Sequence, residues 1–112
     1  MQGIEIKQVV FSNQYFLDTE EIFSYGVLTF GLNQAQKYES LIDAITSELA
    51  TCYQMYPECR FLATKGKIYR WIILDAHSVI YRITPERIEV LRVISSRMSI
   101  TAIKRTRRIK ID

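Results

Sequence analysis

The feature that most constrains this chain of 112 residues is a change of hydrophobic period at Lys67. Upstream, Ala35, Tyr38, Leu41, Ile42, Ile45, Leu49, Cys52, Tyr53 and Tyr56 recur three or four residues apart, the spacing of a helix with one buried face. Asn33 followed by Gln36 resembles a capping box that opens this helix, and Pro57 ends it. An earlier helix is predicted after Ser12 and Asn13, both good N-caps. It carries Asp18, Glu20 and Glu21 in its first half and Ile22, Phe23, Tyr25, Val27, Leu28 and Phe30 as its apolar content, and Gly31 stops it. About two residues separate the helices, so they fold back as an antiparallel hairpin. Downstream, Ile68–Leu74, Ser78–Ile83 and Ile88–Ile94 are rich in Val, Ile, Tyr and Trp. The links Asp75–His77 and Thr84–Arg87 are short enough to demand antiparallel neighbours. Ile4, Ile6 and Val9–Phe11 read as a short opening strand. One apolar face on the sheet and one on the hairpin then cover each other. The expected fold is α+β: an N-terminal strand, then an antiparallel helical hairpin packed on a mainly antiparallel sheet of about four strands. Residues 1–98 make this single domain, and residues 99–112, where the periodicity fades, read as a basic C-terminal tail.

Composition limits what such a domain can do. The 48% of apolar residues are enough to fill a core at this length. The longest aliphatic and aromatic run is Trp71 to Leu74, far short of the ~20 residues a membrane span needs. Met1–Glu5 has neither a cationic patch nor a signal-like apolar stretch, so the expected address is the cytoplasm, with no membrane partner. Cys52 and Cys59 are too few for a disulfide framework, and with only His77 beside them they make no zinc site; no metal or cofactor is expected. Charge is unevenly spread. Residues 1–59 hold two cations against eight carboxylates, a net of −6, and residues 60–112 hold thirteen against four, a net of +9. The last sixteen residues hold six against one, a net of +5. Such a cluster is either a solvated basic tail or a surface for an anionic partner.

Four segments form a recognisable constellation. Phe11, Ser12 and Asp18 precede Ile22 and Tyr25, which lie four and seven residues after the Asp. Phe30, Gly31, Gln34, Ala35, Tyr38 and Leu41 span the junction of the helices. His77, Val79, Ile80, Tyr81 and Arg82 mark a central strand. Ile88, Val90, Leu91, Arg92, Val93 and Ile94, with Arg97 and Met98, mark the last strand and the short segment after it. In this order and spacing they resemble the RelE/ParE toxins of bacterial type II toxin-antitoxin pairs, over residues 4–99. Tyr15 and Thr19 depart from the Ala and Leu usual in that family, Phe30 stands for the commoner Trp, and the tail from Ile100 runs past the usual end.

The resembled family divides by chemistry. RelE-like members are mRNA interferases that cut message in the ribosome; ParE-like members poison DNA gyrase without catalysing a reaction. Cleavage by attack of a 2′-hydroxyl needs a base, an acid and cations to hold the developing charge. Interferases resembling RelE place an Arg three residues before the Tyr of the central strand, and here that place is Ser78, three before Tyr81. They place a Tyr or His shortly after an Arg near the C-terminus, and here Arg97 is followed by Met98, Ser99, Ile100 and Thr101. A lone arginine is a poor base at neutral pH. Losing two donors, at ~3 kcal/mol each, argues against an RNase. If the chain were one, its candidates would be Arg97, Tyr81, Arg70, Lys67 and His77. Each has an ordinary reading as well. His77 sits at a predicted turn, Tyr81 reads as a core or sheet-face aromatic, and Lys65, Lys67 and Arg70 read as the solvated start of a strand.

The resemblance therefore implies a ParE-like toxin that binds DNA gyrase, holds the cleaved complex and blocks replication. It also implies a cognate antitoxin with a DNA-binding part and a segment that folds around the toxin. Arg92, Arg97, Lys104, Arg105, Arg107 and Arg108, with Lys110 in the same cluster, are the candidates for contacts with antitoxin or target, Arg being able to take carboxylates two-pronged. An RelE-like interferase is the alternative. A small nucleic-acid-binding module working through the basic tail, or a toxin relative without activity, stays open.

Overall fold

A computed structural model of the chain describes residues 5–112. The elements run β1 (Gln8–Phe11), α1 (Asn13–Phe30), α2 (Leu32–Ser47), α3 (Leu49–Cys52), a 3-10 turn at Arg60–Leu62, β2 (Tyr69–Ile73), β3 (His77–Ile83), β4 (Arg87–Ser95), α4 (Ile100–Lys104) and a second 3-10 turn at Arg105–Arg108. The opening strand is shorter than expected: Ile4 lies outside the described residues, and Ile6 is exposed ahead of β1. Ser12 is the N-cap of α1, its hydroxyl accepting from the Tyr15 amide at 2.9 Å and donating to the Leu91 carbonyl at 2.5 Å. One residue thus starts the helix and ties it to β4.

Gly31 alone joins the helices. Its φ of 91° and ψ of 165° fall in a region that only glycine visits freely, and it reverses the chain in a single residue. The expected capping box at Asn33 and Gln36 is consequently not used. α2 already begins at Leu32, with Gly31 as its N-cap and no side-chain cap. A Cβ on Gly26 would lie 3.4 Å from that of Ala35, so the two helices are in close contact there. The second helix was expected to run to Pro57; it breaks at Glu48 and ends at Cys52. Just before the break, the buried Thr46 hydroxyl donates to the Ile42 and Asp43 carbonyls, competing with the helical ladder.

The sheet order is β1-β4-β3-β2, with β1 parallel to β4 and the other pairs antiparallel. Between Ile80 and Tyr81 the register shifts, leaving Leu91 as an extra residue in β4. One face carries Val79, Tyr81, Ile88, Val90 and Val93, which pack on Tyr15, Ile42 and Leu49 under the helices. The sequence predicts one apolar face on the sheet, yet the other face is covered as well. Tyr69, Ile80, Leu91 and Ile94 pack there on Cys59, Leu62 and Ile103. Residues 99–112, read as a basic tail, pack on this face too: Ile103 and Thr106 are buried, and Ile109 and Ile111 pack on the second core, while the basic side chains are exposed.

Replacing Gly31 with Ala is expected to lower the unfolding free energy by about 1–3 kcal/mol, because a side chain makes its backbone conformation strained. A urea melt of Gly31→Ala matching that of the parent would contradict the one-residue reversal.

Candidate functional site

Three of the RNase candidates meet at one end of the sheet. Arg70 of β2 pairs with Tyr81 of β3. Tyr81 is fully buried, and its hydroxyl donates to the Tyr53 carbonyl at 2.6 Å, with the Tyr56 ring edge-on at 6.3 Å. Burial holds the phenol well above its ordinary pKa, and the Arg70 charge offsets this only in part. Arg70 points its guanidinium at main chain, donating to the carbonyls of Lys67 at 2.8 Å, Tyr56 at 2.8 Å and Gln54 at 3.2 Å. Lys67 is exposed in the turn whose carbonyl Arg70 takes, at a φ of 54°. The polar atoms of Arg70 and Tyr81 are thus spent on holding the chain after α3 and the turn before β2 against the sheet.

His77 and Arg97 belong to the opposite end. Four residues separate His77 from Tyr81, about 13 Å along a strand. His77 is not in a turn, as the sequence suggested, because it opens β3 opposite Ser95. Its Nδ1 lies 2.8 Å from the Tyr38 hydroxyl of α2, and burial pushes its pKa down. Arg97 is exposed in the turn after β4, and among the described residues its side chain has no hydrogen-bond partner; its amide donates to the Ser95 hydroxyl at 3.1 Å.

Arg92 has an internal partner. Its Nε and Nη2 donate to the Asp18 carboxylate at 3.0 and 2.8 Å, and Asp18 Oδ2 also accepts the Val93 amide at 3.0 Å. Asp18 is 6% exposed, so a two-pronged pair of this kind is an anchor of α1 on β4. Glu89, also buried, accepts from Arg82 at 2.7 Å and from Arg87 at 2.8 Å. Neither carboxylate was singled out as an anchor by sequence reasoning. The spacing of Arg87 and Glu89, two apart on a strand and hence on one face, is the local signal that was present.

On the second face lies a cavity of about 430 Å³, lined by residues that include Arg60, Phe61, Trp71, Ser78, Ile94 and Met98. Ser78, the place of the interferase arginine, opens into it. Tyr81 packs in the core under the helices and His77 bonds to α2, so they and the cavity lie on opposite sides of the sheet. The Arg60 guanidinium lies 4.8 Å from the centre of the Phe61 ring, a cation over an aromatic face. Lys104, Arg105, Arg107 and Arg108 are exposed on the segment that closes this side. Among the described residues no group of three or more His, Cys, Asp or Glu side chains is arranged to hold a metal ion, and no helix is long and apolar enough to cross a membrane.

A solved chain described as the chromosomal ParDE TA system from P. aeruginosa superposes with a TM-score of 0.67 at 16% identity, covering 81% of this chain and 97% of that chain. No curated protein matches the sequence. The family model described as the ParE toxin of type II toxin-antitoxin system, parDE, matches residues 9–100, and the chain belongs to that family. Membership implies a cognate antitoxin partner.

Asp18→Ala leaves the Arg92 guanidinium and the Val93 amide without their acceptor, and is expected to cost about 3–5 kcal/mol in a denaturant melt; a loss below ~1 kcal/mol would show that water replaces the carboxylate readily. For His77 the neutral ring is favoured in the folded chain. Its contribution to stability is therefore complete above the unfolded value of 6.5 and is lost as pH falls below 6.5 through the lowered folded value. His77→Gln should flatten the dependence of unfolding free energy on pH in that acid window, and an unchanged slope would count against it.

Proposed function

We propose that this ParE-family toxin acts in the cytoplasm by binding DNA gyrase and holding its cleaved complex, and that the cognate antitoxin neutralises it by covering its surface. The observation that carries the choice of binding over RNA cleavage is the placement of Tyr81 and Arg70. The phenol is buried with its hydroxyl donating to the Tyr53 carbonyl, and the guanidinium is committed to three main-chain carbonyls. Neither group faces the cavity where Ser78 stands. A general acid must reach the atom it protonates, so these side chains serve the fold.

Surface chemistry favours a macromolecular partner. Phe16, Leu17, Tyr25, Leu28, Phe30 and Leu32 are exposed along α1 and at its junction with α2, a concentration of large apolar side chains of the kind that marks an interaction surface. A segment with apolar residues would bury that area as it folds, and its acidic residues would meet the cationic second half of the chain. Arg97 remains a proposed contact for antitoxin or target, and Lys104, Arg105, Arg107 and Arg108, which present charge with little apolar area beside them, remain proposed contacts for the target. Arg92 is a weaker choice than the others, since binding a partner would compete with Asp18.

Purified chain is expected to inhibit supercoiling by gyrase, or to raise the yield of cleaved DNA, while leaving ribosome-bound mRNA intact. Ribosome-dependent cleavage of message by this protein would overturn the reading in favour of an interferase.

A further inference from the structure

The family match ends at residue 100, yet the chain beyond it is a built element. Residues 100–112 return across β3 and β4 as a strap. Glu89 is its buried junction: Arg82 and Arg87 both bond to its carboxylate. Arg82 then donates to the Ile109 carbonyl at 2.9 Å, and Arg87 to the Ile111 carbonyl at 2.5 Å. Arg107 donates to the Ala63 carbonyl at 3.3 Å, and Ile103, Ile109 and Ile111 pack into the second core. Both ends of the strap are thereby fixed.

This anchoring sorts the side chains. Ile103 and Thr106 are buried, whereas Lys104, Arg105, Arg107, Arg108 and Lys110 are all exposed. None of the ion pairs among the described residues involves these five cations. Beyond Ile100 the strap turns its apolar side chains mostly inward, so between Lys104 and Lys110 it offers charge with little apolar area, from the half-buried Ile109, and no aromatic ring. An acidic peptide that folds on binding needs apolar burial to offset the cost of ordering. A single strand of nucleic acid is held largely by stacking on aromatic side chains. A duplex backbone needs only cations held in place, and fixing them beforehand reduces the entropy lost on contact.

We propose that the strap is a contact surface for the phosphate backbone of duplex DNA, independent of base sequence. It stands apart from the gyrase reading, because it concerns bare duplex with no enzyme present.

The test is fluorescence anisotropy of the full chain with short duplexes of unrelated sequence. Affinity is expected to be the same for each sequence and to fall roughly 10²-fold between about 50 and 200 mM salt, as for about four phosphate contacts. The combined variant Lys104→Gln, Arg105→Gln, Arg108→Gln and Lys110→Gln should weaken binding and lower the salt slope by about 3–4, whereas Lys37→Gln with Lys65→Gln should change little. Circular dichroism checks that each variant folds. Glu89→Gln supplies a second readout: it makes the chain more positive while loosening the strap, and weaker duplex binding is the expected result. Tighter binding by Glu89→Gln, an unaltered combined variant, no duplex binding at about 50 mM salt, or a preference for polyglutamate or anionic vesicles would each overturn the proposal. Duplex binding without any effect on supercoiling would leave it standing while removing the gyrase reading.

Discussion

Where β1 stops at Phe11, the edge of β4 continues with no strand beside it among the described residues, and Asp18 takes the place of one. Its carboxylate accepts the Val93 amide that a longer β1 would have engaged, and the same oxygens grip the Arg92 guanidinium. Ser12 does the corresponding work one step earlier, bonding to Val90 and Leu91. The start of α1 therefore completes the central strand. Everything packed on β4 inherits that arrangement, since α1 is seated on the sheet by these polar contacts as much as by its apolar face. Buried polar groups of this kind are stable only when every partner is present, which makes the junction specific as well as strong.

With its edge completed, β4 is covered on both faces, and the molecule is three layers deep. The helices cover one face through Tyr15, Ile42 and Leu49, and the 3-10 turn at Arg60–Leu62 with the strap covers the other. Burial on both sides explains the nearly continuous apolar run in β4, a pattern otherwise typical of strands in parallel sheets. It also explains Glu89. A carboxylate placed inside the second layer is tolerable because two guanidiniums meet it, and those guanidiniums in turn hold the strap's carbonyls.

The sites that would matter for chemistry are kept apart by the sheet itself. Tyr81 and His77 point toward the helices, Ser78 toward the cavity, and the exposed cations ride on the strap beyond it. Such a distribution suits a protein that presents surfaces to partners. The apolar side of α1 and the cationic strap are two surfaces of different chemistry.

Local signals carried much of this into the amino-acid sequence. The helical period and Gly31 placed the hairpin, the β-branched runs placed β2, β3 and β4, and the short links made them antiparallel. The turn chemistry was less legible. Asn33 and Gln36 have the residues of a capping box, but Gly31 reverses the chain too soon for it to form. The strap was invisible for a similar reason: a five-residue helix and a 3-10 turn are too short to display a period, so Ile103, Thr106, Ile109 and Ile111 looked like scattered apolar residues in a basic tail. Likewise Asp18 and Arg92 are 74 residues apart. By itself the sequence determined the hairpin and the main strands, because helix and strand periods of that length are written in near neighbours. Only the tertiary structure decided which charges were spent inside and which were left outside, because that depends on residues brought together across the fold, and no local spacing encodes such a meeting.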